Sequence, residues 1–105
     1  MYSYLLPIGS VVRLIDNGPL VMIYGVRQIA SKKDHESIVK DYIAVPYPMG
    51  RLTDQYRYLF NHSDIDEVVF RGYDSPIRES FLKSMEEAAI KRGERKAEEG
   101  DEENK

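Results

Sequence analysis

Along residues 10–71 short apolar runs alternate with turn-forming residues, and from residue 75 onward the apolar spacing lengthens to three and four. Ser10-Val11-Val12-Arg13-Leu14-Ile15 is enriched in β-branched side chains and predicts a strand. Asp16-Asn17-Gly18-Pro19 follows as a turn. Asn-Gly favours a two-residue hairpin. Pro19, however, stands where the closing N–H is needed and has none, so a looser connection is expected. Leu20 to Val26 is apolar on both alternating faces and predicts a central strand covered on both sides. Gly25 inside it marks a bulge or a close approach of backbone.

Ser31-Lys32-Lys33-Asp34-His35-Glu36-Ser37 reads as a solvated loop. Val39, Asp41, Ile43 and Val45 then alternate with Lys40, Tyr42 and Ala44 as a third strand, ended by Pro46-Tyr47-Pro48-Met49-Gly50. Two prolines around one residue force an extended turn there. Tyr56, Tyr58 and Phe60 share one face of a fourth strand, and Glu67 to Arg71 forms the last. Between them, Asn61-His62-Ser63-Asp64-Ile65-Asp66 is rich in side chains that cap backbone groups, which predicts one turn of 3₁₀ or α-helix.

The helix has the clearest signals. Ser75 is a good N-cap, and Pro76 at the first helical position needs no N–H there. Ile77, Phe81, Met85 and Ala88, widened by Leu82 and Ala89, form an apolar stripe, with Gly93 ending its regular packing. The resulting fold class is α+β. We expect a small, strongly bent antiparallel β-sheet or partial barrel, with one C-terminal amphipathic helix packed on it from about Ser75 to Arg92. Phe81 is expected to be buried against the sheet. At 105 residues the chain has room for one modest core, so residues 1–93 read as a single domain. Residues 94–105 carry one alanine as their only apolar side chain, and a disordered tail is expected because burial cannot offset the entropy of ordering it.

Charge sharpens that division. Residues 76–105 hold 9 acidic and 7 basic side chains, against 9 and 8 in residues 1–75, and all 11 aromatics lie at or before Phe81. The formal net charge of −3 argues against a nucleic-acid binder, which normally carries a basic excess. Nothing at the N-terminus reads as a signal peptide, and no window approaches the length of a membrane span. A cytoplasmic protein without membrane insertion is therefore expected. With no cysteine and only two histidines, disulfides and thiolate chemistry are excluded, and neither a metal site nor a cofactor is expected.

Candidate chemistry is sparse. His62, near Asp64 and Asp66, offers a His–Asp acid/base pair or one face of a metal site. His35 lies in a charged loop 27 residues earlier, so no second histidine stands at ligand spacing, and a turn residue bonded to nearby backbone is the favoured reading. Asp64, Asp66 and Glu67 lack the central glycine and closing glutamate of a calcium loop. No Gly-x-Ser-x-Gly elbow and no phosphate-cradling glycine loop is present. Composition and motif thus describe a domain without visible catalytic apparatus.

The 8 tyrosines are more telling. Most suit core packing with the hydroxyl reaching water. Others suit a partner surface, where tyrosine concentrates binding energy. Tyr47 and Met49 on the proline-stiffened loop are the first candidates, joined by Tyr56 and Tyr58 if their strand is an edge.

Three blocks carry a resemblance: Leu5-Leu6-Pro7-Ile8-Gly9-Ser10-Val11-Val12, then Asp41 through Gly50, then Phe60 through Tyr73. Over roughly residues 4–85 the chain resembles a small domain family of Gram-positive bacteria, long classed as of unknown function, encoded beside LXG toxins of the type VII secretion system. The resemblance implies a non-enzymatic adaptor or chaperone. Such a protein binds the helical N-terminal domain of an LXG toxin, helps target it to the secretion machinery, and is joined by a second small helical adaptor. It also implies a cytoplasmic protein that is exported with the toxin complex. It supplies no catalytic residues, and the long acidic tail departs from the family pattern. Two alternatives stand beside it: an immunity protein binding the toxin's C-terminal catalytic domain, and a small enzyme centred on His62 and Asp64.

Overall fold

The structure is a computed structural model that describes residues 2–33 and 36–92. Strands β1 (Val11–Leu14), β2 (Leu20–Lys33), β3 (Glu36–Pro46), β4 (Tyr58–Phe60) and β5 (Ile65–Phe70) are followed by helix α1 (Pro76–Arg92). All strand pairs are antiparallel, in the order β4-β3-β2-β1-β5, so the sheet is open with β4 and β5 at its ends. The α+β class with one C-terminal helix is as the sequence predicts.

Two compact units divide the chain. Leu5–Tyr73 holds the five strands, and Met1–Tyr4 with Asp74–Lys105 holds the helix. The core of the strand unit is Leu5, Leu6, Val12, Val21, Ile23, Tyr42, Ala44 and Phe60, all buried. Leu5 and Leu6 precede β1 yet are covered, because Gly9 takes a left-handed φ of 94° that an L side chain rarely adopts. The turn this allows is fixed by Ser10 N–H donating to the Pro7 carbonyl and Gly9 N–H to that of Ile23.

The β1–β2 connection is the looser one that Pro19 demands. Arg13 faces Leu20 across the ladder, and Asp16 and Asn17, which tolerate the left-handed region, both adopt it. Gly25 sits where the β2–β3 register slips. A Cβ there would meet Ile43 Cγ2 at 2.6 Å, so the bulge and the close approach coincide. The expected loop over residues 31–37 is corrected: β2 and β3 pair as far as Lys33 and Glu36, with Asp34 and His35 outside the described residues. Charged side chains do not prevent this, because each strand supplies the other's main-chain partners. The fourth strand is also shorter than expected. It pairs only with Tyr42 to Ala44, and Tyr56 is held in a turn by its N–H to the Thr53 carbonyl at 3.2 Å.

In the helical unit, Ser75 Oγ accepts the N–H of Arg78 at 3.2 Å, the bond an N-cap makes. Arg78 also reaches Asp74 at 3.2 Å, and Lys91 and Arg92 occupy the negative end of the helix dipole. Tyr2 is buried and lines a recess of about 450 Å³ with Pro76, Leu82, Lys83 and Glu86. The apolar stripe is covered only in part, and the expected burial of Phe81 is corrected: Ile77 is 82% and Phe81 51% exposed, and Ala89 is the buried residue of this helix. Leu82, Met85 and Ala88 of the same stripe are half-buried. Residues 93–105, including the expected tail, lie outside the described residues. No described helix is long and apolar enough to cross a membrane.

Candidate functional site

Of the residues weighed as chemistry, His62 and Asp64 lie at one junction, together with Asp41, Arg27, Tyr42 and Asn61. Asp41, near the middle of β3, is buried, and its carboxylate is shared. Oδ1 accepts from Arg27 Nη1 at 2.9 Å, and Oδ2 accepts the backbone N–H of His62 at 2.9 Å. The backbone N–H of Asp41 donates in turn to Asn61 Oδ1 at 3.2 Å. One side chain of β3 thus stitches the 3₁₀ turn His62–Asp64 to the sheet.

Tyr42, the next residue, points to the opposite face and is fully buried. Its hydroxyl accepts the N–H of Leu6 at 3.0 Å and lies 2.7 Å from His62 Nδ1. A hydroxyl carries one proton, so the assignment that uses every atom has Tyr42 donate to Nδ1 and places the ring proton of His62 on Nε2. The Tyr42 ring packs at 5.5 Å from Phe60 and 5.8 Å from His62. Asp64 turns its carboxylate to the N–H of Asn61 at 3.0 Å, capping its own turn instead of pairing with His62. Among the described residues no group of three His, Cys, Asp or Glu side chains is placed to hold a metal ion.

Arg27 escaped the sequence reading. It sits in β2 opposite Asp41 with a left-handed φ of 51°, which for a long side chain costs about 1–3 kcal/mol. The ion pair with Asp41, itself buried, holds it there. The only sequence-level hint is the neighbouring Gly25, whose bulge changes the direction of the strand. A third tie links the last block to the first: buried Ser10 accepts the N–H of Gly72 at 2.9 Å. The blocks 5–12, 41–50 and 60–73 therefore meet through Leu6–Tyr42–His62, Asp41–Asn61 and Ser10–Gly72.

The proposed partner residues lie elsewhere. Tyr47 (46%), Met49 (57%) and Tyr56 (52%) are exposed on the connection between β3 and β4, and Leu52 (49%) joins them. Tyr58 lies on the edge strand β4 and is half-buried. The connection is rigidly built. Gly50 N–H donates to the Pro46 carbonyl at 2.8 Å, Gln55 N–H to Thr53 Oγ1 at 3.1 Å, and Arg51 pairs with Asp54 at 3.0 Å. Gly50 adopts φ 75° with nothing near its α-carbon, so the glycine is there for its backbone. The Tyr47 N–H, bonded to the Leu20 carbonyl at 3.0 Å, anchors the loop to β2.

Tyr47 also borders a recess of about 430 Å³ whose other walls are Gly9, Val11, Leu20, Met22, Val69 and Phe70, none of them charged. Val69 and Phe70 were read as strand residues only. Both are exposed, on the strand that ends the sheet.

A family model described as a domain of unknown function matches residues 5–81. No curated protein and no solved structure matches the chain.

Proposed function

The chain belongs to that family, DUF4176, and from this premise we propose that it is a non-enzymatic adaptor for an LXG toxin of the type VII secretion system. It binds the toxin's helical N-terminal domain and helps target it for export. The observation that carries this reading is the stiff β3–β4 connection, which presents Tyr47, Met49, Leu52 and Tyr56 to solvent on a backbone already fixed by hydrogen bonds. A preorganised loop loses little entropy on docking, and exposed aromatic and methionine side chains are what an apolar helical stripe needs opposite it. The resemblance of the three blocks to proteins encoded beside LXG toxins supplies the partner. The polar junction supports the same reading, because Asp41, Tyr42, Asn61, His62 and Asp64 are engaged in holding segments together.

Co-expression with each half of a neighbouring LXG toxin tests it. Capture by the N-terminal helical half, with or without a second small helical protein, is the expected result. Capture by the toxic half alone would transfer the protein to the immunity class.

A further inference from the structure

Val69 and Phe70 both wall the uncharged recess of about 430 Å³ beside Tyr47. Neighbours on a regular strand point to opposite faces, so on such a strand only one of the two would line it. The register accounts for the difference. Phe70 faces Val11 and Val68 faces Val12, which leaves Val69 as the extra residue of a β-bulge. A bulge sets two residues against one and re-aims a side chain. Val11 and Met22, paired across β1 and β2, supply further walls together with Leu20. The rim side chains Tyr47, Val69 and Phe70 are all exposed, so they surround the hollow without filling it. Charge stands beside the Leu20 wall. Arg13, the register partner of Leu20, shares the face of Val11 by strand alternation and pairs with Glu67 at 3.9 Å, both side chains exposed.

We propose that this recess is the seat of an apolar anchor side chain from a partner helix. The inference rests on the proposed adaptor role, under which that helix belongs to the N-terminal half of the LXG toxin. The uncharged walls reward an apolar side chain and penalise a charged one. The bulge interrupts the ladder of β5, so this edge offers a partner strand no regular row of main-chain groups. Recognition here falls to side chains. An amphipathic helix presents them with its own backbone already satisfied, and lays its apolar face into such a hollow. Its polar flank then meets the Arg13–Glu67 pair. Tyr47 is common to the recess and the β3–β4 connection, which extends the docking surface from that connection onto β1, β2 and β5.

Calorimetric titration of the full chain with the N-terminal helical half of an LXG toxin reads this. Val69→Asp and Phe70→Asp each place a charge on the recess at a position already exposed, and each should weaken binding by roughly tenfold or more. Ile29→Asp introduces the same charge on β2, at an exposed position outside the recess, and should bind as the wild type does. The double variant Val69→Ala with Phe70→Ala serves if either aspartate disturbs folding by circular dichroism, and the same loss is expected of it. Recess variants that bind as tightly as the wild type would overturn the inference and leave the adaptor role standing. A loss in Ile29→Asp as large as in the recess variants would overturn it too, because the effect would then be one of added charge alone. A wild type that does not bind this half would overturn the adaptor role, and the inference with it.

Discussion

Asp41 is the residue on which most of the polar framework depends, because three separate segments meet at its carboxylate and amide. Asp41→Ala removes the ion pair made by Arg27 from a strained backbone position and the acceptor of the His62 N–H. A loss of about 3–5 kcal/mol by urea denaturation is expected, the cost of breaking a buried pair. The two members of the Tyr42–His62 contact should behave unequally. Tyr42→Phe strips the buried Leu6 N–H of its acceptor as well, and should cost about 1–3 kcal/mol. His62→Ala removes one hydrogen bond from a half-buried turn and should cost about 1 kcal/mol, with partner binding intact. Reading His62 as a turn residue needed only its neighbours Asn61, Ser63 and Asp64. Its bond to Tyr42, 20 residues away, depends on register and had no local signal.

At the scale of elements, Gly25 and α1 illustrate where pattern reading succeeds and where it stops. Gly25 was legible because a glycine inside an apolar strand has few uses. Gly25→Ala puts a methyl group at 2.6 Å from Ile43 and should cost about 1–3 kcal/mol, as overpacking does, without changing the fold by circular dichroism. Helix α1 was legible in its ends, since Ser75 and Pro76 are local signals, but its coverage was not. Periodicity tells which side chains share a face and is silent on whether anything lies over that face. With Phe81 about half exposed, Phe81→Ala should lower stability by about 1 kcal/mol or less, well under the cost of deleting a buried ring. A loss above about 3 kcal/mol in thermal unfolding would mean that the ring is covered. The lengths of β2 and β3 were missed for a related reason: a paired ribbon is sustained by main-chain hydrogen bonds that charged side chains do not advertise.

Over the whole molecule, an open five-stranded sheet is held by buried polar ties, and the β3–β4 connection, β5 and α1 each carry several exposed apolar side chains. The framework and the β3–β4 connection are separable in this arrangement. The loop makes its hydrogen bonds mostly within itself, so truncating its exposed side chains should leave the melting temperature nearly unchanged. Of the four tyrosine and methionine candidates, Tyr47 and Met49 stand exposed on the loop, Tyr56 is exposed in a turn outside the strand expected for it, and Tyr58 is half-buried on the edge strand. The measurement that bears most directly on the proposed adaptor role is a calorimetric titration of the chain with the N-terminal helical half of an LXG toxin, at several temperatures. Saturable one-site binding with a negative heat-capacity change is predicted, weakened by about 2 kcal/mol or more in Tyr47→Ala or Met49→Ala. Absence of binding to that half, or full-strength binding by a variant lacking both side chains, would contradict it.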